Sequence, residues 1–211
     1  MSALKIKICG MRRREDIGYI NRWRPDYAGF ILSSGFKRSA AFDDFRGLRD
    51  MLDSGIKSVG VFVNEPLESL ARYCDMLDVI QLHGDEGAEY IEKLRGICGD
   101  AEIWKAVRAK SPDDIETACK LPADKLLIDS FSEKQYGGTG KRVDLEIFDK
   151  VKIDKPFFLA GGLTAENVCE AADRVNPYGV DFSSSAEVNG YKDENKIREI
   201  IETINNYLKE G

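Results

Sequence analysis

Apolar residues gather in eight short runs, at residues 4–9, 27–32, 58–63, 79–83, 103–107, 126–129, 157–160 and 179–182. Runs this brief, bounded by polar residues and glycines, read as strands and not as helices. The first shows the pattern plainly: Leu4, Ile6 and Ile8 alternate with Lys5 and Lys7, and Gly10 then lets the chain turn. The segments between the runs carry helical spacing instead. Leu67, Leu70 and Ala71 share one face, and Ile197, Ile200, Ile201, Ile204 and Leu208 recur at steps of three and four. Ser111-Pro112, Asn64-Glu65-Pro66 and Thr164-Ala165-Glu166 have the composition of helix starts. The fifth helical segment, 112–120, is the weakest and is expected to be short.

Strand and helix alternate eight times, which predicts a closed parallel (β/α)8 TIM barrel, with 211 residues near the short end of that fold. An open doubly wound sheet is the alternative, but it usually needs fewer strands. No Pro- or Ser-rich linker interrupts the chain, so residues 1–211 are read as one domain.

Composition narrows the function classes. The chain is 43% hydrophobic and 32% charged, enough to bury a full core. Its net charge of −6 is spread along the sequence, which argues against coating nucleic acid and leaves room for a local basic pocket. No run reaches membrane length, and the amino terminus enters the first strand directly, so neither a membrane partner nor a signal peptide is expected. Cys9, Cys74, Cys98, Cys119 and Cys169 are odd in number and scattered. That pattern suits a reducing cytoplasm better than a disulfide framework. A single histidine excludes a multi-histidine metal centre.

In a barrel, functional residues sit at the carboxyl ends of strands and in the loops that follow. Cys9 ends the first strand, where a thiol is either a small packing group or an acid, base or nucleophile. Asp129 closes Leu126-Leu127-Ile128, where a carboxyl has no packing reason to be; it is a helix cap or an acid facing a pocket. Three later loops are rich in glycine or serine: Gly137-Gly138-Thr139-Gly140-Lys141, Ala160-Gly161-Gly162-Leu163-Thr164 and Ser183-Ser184-Ser185. Glycines bring backbone N–H groups close to a ligand and serines add hydroxyls, so the three together point to a phosphate. Gly140, Gly161, Gly162, Ser183 and Ser184 are its candidate ligands. Arg38, after the second strand, is a solvated charge or an anion anchor. Gln81 and His83 alternate on the fourth strand, so they point the same way.

The motifs Lys7-Ile8-Cys9-Gly10, Gln81-Leu82-His83-Gly84-Asp85-Glu86, Leu127-Ile128-Asp129, Gly137-Gly138-Thr139-Gly140-Lys141 and Leu159-Ala160-Gly161-Gly162-Leu163, with Gly179-Val180-Asp181 and Ser183-Ser184, occur in this order. Together they resemble the phosphoribosylanthranilate isomerase family over nearly the whole chain. The resemblance implies a single-domain barrel of tryptophan biosynthesis that needs no cofactor and rearranges N-(5-phosphoribosyl)anthranilate to a 1-deoxyribulose 5-phosphate. By it, Cys9 matches the general base, Asp129 the general acid and Arg38 the arginine facing the anthranilate carboxylate. The expected partner is therefore a small phosphorylated molecule, met by a monomer or a homodimer. Other readings are a different phosphate-binding barrel of tryptophan or histidine biosynthesis, or a barrel that binds a phosphorylated metabolite without catalysis. Three departures from the family stand out: Ser185-Ala186 where a glycine and an apolar residue are usual, Val143 and Leu145 in place of aromatic residues common after the Gly137-Gly138-Thr139-Gly140 loop, and the strongly basic Arg12-Arg13-Arg14.

Overall fold

The computed structural model describes residues 4–129 and 145–210. Its eight main strands are β1 Lys5–Cys9, β2 Tyr27–Ile31, β3 Lys57–Phe62, β4 Val79–Leu82, β5 Glu102–Arg108, β6 Lys125–Asp129, β7 Phe157–Ala160 and β8 Gly179–Phe182. Each pairs in parallel with the next, and β8 pairs with β1, closing the barrel in chain order. The eight apolar runs thus become eight strands, with ends shifted by one or two residues. A parallel sheet covered on both faces buries nearly every strand position, which is why these runs are so continuously apolar.

The two faces have different partners. Tyr27, Val59, Val79, Trp104, Ala106, Leu127, Phe158 and Ala160 pack with one another inside the barrel. Strand residues between them, such as Ile8, Phe30, Ile80 and Ile103, pack outward against the helices. Alternation then places Lys7, Cys9, Gly29, His83, Arg108, Asp129 and Asp181 on the inner face. Lys7 is fully buried there, and its Nζ donates to Asp181 Oδ1 at 2.8 Å across the β1–β8 seam. Burying that lysine is tolerable because the carboxylate accompanies it.

The outer layer holds α1 Arg14–Trp23, α2 Phe42–Met51, α3 Leu67–Ala71, α4 Ala88–Ile97, α5 Pro112–Cys119, α6 Val168–Val175 and α7 Glu194–Glu210. Ser111 and Asp114 form a capping box at the start of α5, with Pro112 in its first turn. On α7, Ile197, Ile200, Ile201 and Ile204 are buried, whereas Leu208 has rotated toward solvent.

The fifth helix is short, as expected, at eight residues, and α3 is shorter still, at five. Other expectations need correction. Among the described residues between β6 and β7 there is only a 3-10 turn, Glu146–Lys150. The chain after β7 turns at Thr164, where Asn167 Oδ1 accepts the backbone N–H, and α6 starts only at Val168. Cys74 and Cys98 are joined in a disulfide between the turn after α3 and the end of α4, leaving Cys9, Cys119 and Cys169 as thiols. A two-stranded hairpin, β9 Glu187–Val188 and β10 Tyr191–Lys192, follows β8 and had no signal in the hydrophobic pattern.

Candidate active site

A cavity of about 1460 Å³ opens at the carboxyl ends of the strands, lined by Cys9, Arg38, His83, Asp129 and the loops after β7 and β8. Ligand pockets usually span about 300–1,000 Å³, so a sugar phosphate bearing an aromatic ring has ample room.

Cys9 ends β1 with 7% of its surface exposed. Its thiol owes its place to Gly29, its register partner on β2: a Cβ on Gly29 would lie 2.8 Å from Cys9 Sγ. Gly29 also accepts backbone hydrogen bonds from Gly10 N and Met11 N through its carbonyl, at 2.8 and 2.9 Å. The turn after Cys9 is therefore tied to the strand that makes room for it. Asp129 ends β6, beside Arg108 of β5 and Ala160 of β7 in the register, and lines the same cavity half-buried.

Gln81 and His83 share the inner face of β4, and Gln81 Nε2 lies 3.1 Å from His83 Nδ1. Burial, reinforced by Lys7 and Arg108 against the opposing pull of Asp129 and Asp181, pushes the imidazole below the usual histidine range. The site therefore favours the neutral imidazole. Lys7 goes the other way. Burial alone would lower it, but Asp181 and Cys9 more than offset that and raise it above the ordinary lysine value.

Gly161 and Gly162 have φ of +92° and +71°, conformations open to glycine that turn the backbone after β7 toward the cavity. Ser183, Ser184 and Ser185 line the cavity after β8. Gly140 lies outside the described residues. Arg38 reaches over from the loop after β2, and its Nη1 donates to Ser183 Oγ and to Glu187 Oε1, both at 3.0 Å.

The sequence reading did not single out Gly29, Lys7, Glu187 or Lys192. Gly29 had a signal, because a glycine inside a strand marks a close approach. Lys7 had a weaker one, as a charge within a strand buried on both faces. A second omitted group holds the loop after β4. Glu86 accepts from Asn64 N and Gly84 N, at 2.7 and 3.0 Å, and from the buried Lys105 Nζ at 2.9 Å. This frame carries the backbone immediately beyond His83.

Fold and cavity together define the class: a (β/α)8 barrel with a carboxyl group, a thiol and glycine- and serine-rich loops around a cavity at the carboxyl ends of its strands. The family model described as N-(5'phosphoribosyl)anthranilate (PRA) isomerase matches residues 6–203, and the chain belongs to that family. The N-(5'-phosphoribosyl)anthranilate isomerase of Caldanaerobacter subterraneus subsp. tengcongensis is 45% identical over 203 residues, spanning 95% of this chain and 98% of its own. The crystal structure of phosphoribosyl anthranilate isomerase from Thermotoga maritima superimposes with a TM-score of 0.81 at 31% identity, covering 96% of this chain and 99% of that one. A phosphoribosyl anthranilate isomerase in complex with reduced 1-(o-carboxyphenylamino)-1-deoxyribulose 5-phosphate gives a TM-score of 0.78 at 29% identity, with the same coverage. Among the described residues, no helix is long and apolar enough to cross a membrane.

Proposed function

We propose that this chain converts N-(5'-phosphoribosyl)anthranilate to 1-(2-carboxyphenylamino)-1-deoxyribulose 5-phosphate with Asp129 as acid and Cys9 as base. The reaction is an isomerisation of the aldose–ketose type within tryptophan biosynthesis. It is an internal oxidoreduction: C1' gains the hydrogen that C2' loses. Asp129 gives a proton to the ring oxygen as the C1'–O bond breaks, and the nitrogen lone pair forms the imine. Cys9 then takes the proton on C2', and the electron pair moves to the C1'–nitrogen system to give an enolamine. Protonation at C1' and loss of the enol proton complete the ketone. An acid and a base held apart serve both halves.

The observation that carries this reading is that Cys9 and Asp129, on β1 and β6, line one cavity with β7 and β8 between them. In this reading the loops after β7 and β8 receive the phosphate through Gly161, Gly162, Ser183 and Ser184, Arg38 receives the ring carboxylate, and Gln81 and His83 line the sugar's side. A reducing setting such as the cytoplasm suits the thiol chemistry of Cys9, and the Cys74–Cys98 disulfide lies apart from the cavity lining. The test is turnover of freshly made phosphoribosylanthranilate, followed by the change in anthranilate fluorescence. Cys9→Ala and Asp129→Asn should each lower kcat by about 10² to 10⁴. Near-native turnover by a folded Cys9→Ala protein would remove the thiol from the mechanism.

A further inference from the structure

Arg38 does not meet the cavity alone. One carboxylate oxygen, Glu187 Oε1, accepts from Arg38 Nη1 at 3.0 Å and from Lys192 Nζ at 2.6 Å. Lys192 also donates to the Ser183 carbonyl at 2.9 Å, and its side chain is wholly buried. The cluster lies directly against the turn after Cys9: a Cβ on Gly10 would be 3.5 Å from both Arg38 Nη1 and Lys192 Nζ. Glu187 and Lys192 are the facing ends of the β9–β10 hairpin.

The basic run after β1 pins that hairpin. Arg13 Nη2 donates to the Lys192 carbonyl at 2.9 Å, and Arg12 Nη2 donates to the Gly190 carbonyl. Both guanidinium groups lie 4.5 Å over the ring of Tyr191. The unusual Arg12-Arg13 pair thus has a structural task 178 residues away, at Gly190.

An arginine paired with a glutamate is a poor anion anchor, because the two charges cancel. A second cation on the same carboxylate changes the outcome. We propose that the β9–β10 hairpin is a positioning device for carboxylate recognition, in which Glu187 holds Arg38 and Lys192 cancels the charge of Glu187. Two cations and one carboxylate leave one net positive charge facing the cavity. Among the described residues, Arg38 Nε and Nη2 donate to no protein acceptor, so the outer edge of the guanidinium is available to a ligand. The titration of Glu187 fits this arrangement. Burial works to raise the Glu187 carboxyl, but Lys192 and Arg38 bring it below the usual carboxylate range. Burial pushes the Lys192 ammonium down, with Glu187 opposing.

This inference rests on the reading of Arg38 as carboxylate anchor, and the experiment separates the two. KM and kcat are measured for phosphoribosylanthranilate and for its aniline counterpart, which lacks the carboxyl. Lys192→Met should raise KM for the carboxylated substrate by about tenfold, on the scale of one partly screened charge, with kcat kept and the aniline compound unaffected. The double variant Glu187→Gln/Lys192→Met removes one charge of each sign and should restore the wild-type preference. An equal loss on both substrates in Lys192→Met, or a double variant as weak as the single, overturns the proposal. Should Lys192→Met alone fail to fold, the double variant decides: a folded double variant that prefers neither substrate overturns it. Arg38→Met is run alongside. A carboxylate preference that survives Arg38→Met removes the anchor and the proposal with it. A preference lost in Arg38→Met but untouched in Lys192→Met removes the hairpin's role only.

Discussion

Gly29 and Gly179 both face the interior of the barrel, one near each end. At the carboxyl end, Gly29 leaves space for the thiol of Cys9. At the amino end, a Cβ on Gly179 would lie 2.8 Å from Phe158 Cδ1 and 2.7 Å from the Lys5 carbonyl. The space left by Gly179 is filled by an aromatic plug. Phe158 stacks on Trp104 at 4.5 Å and meets Tyr27 and Tyr178 edge-on at 5.4 and 5.6 Å. Below the plug the charges are structural: Glu102 accepts from Trp104 Nε1 at 2.9 Å and from Lys125. The same small residue therefore serves packing at one end and a reactive group at the other. The lesson is a division of labour, with stability concentrated at the amino end and chemistry at the carboxyl end.

The strongest way to break that division is at the plug. Phe158 is fully buried, so Phe158→Ala should cost about 3–5 kcal/mol and lower Tm by roughly 6–20 °C. The protein that remains folded should keep its kcat, whereas Cys9→Ala should show the reverse. A Phe158→Ala enzyme with intact Tm and lost turnover would end the comparison.

The two glycines sharpen it with a smaller change. Gly29→Ala should force the thiol to a new position and reduce kcat by about 10², since misplacing a reacting group by an ångström has that effect. Gly179→Ala should leave kcat alone and destabilise by about 1–3 kcal/mol through overpacking against Phe158 and backbone. Paired melting curves and turnover assays distinguish them; identical effects from both would show that the ends are not separate.

The smallest effect expected is a pH dependence at His83, the one histidine. Its folded pKa lies below the ordinary 6.5, so the unfolded chain binds the proton more tightly. The stability that a neutral His83 contributes is complete above pH 6.5 and declines as pH falls below it. Urea midpoints at pH 7 and pH 5.5 should therefore differ more for the wild type than for His83→Asn. Equal differences would mean that His83 does not titrate in this way.

Strand number, strand order and the placing of Cys9 and Asp129 at strand ends were all legible in the chain. Each depends on local pattern: short apolar runs set the strands, and a polar residue closing such a run has few other reasons to be there. Helix lengths were less legible. Outer helices need only cover part of the barrel, so Leu67, Leu70 and Ala71 yield a five-residue α3 where spacing suggested more. The clusters that prepare the cavity were not legible at all. Lys7 meets Asp181 across 174 residues, and Arg38 meets Glu187 across 149. No local pattern encodes such pairs, because a charge in one segment says nothing of which distant charge will face it until the barrel closes. By itself, then, the sequence determined the elements, their periodicity and which residues end each strand. Tertiary pairing decided the rest: β8 against β1 set Lys7 beside Asp181, the β1–β2 register set which glycine shelters the thiol, and the β9–β10 hairpin set how Arg38 is held, since these depend on distances that only the finished barrel sets.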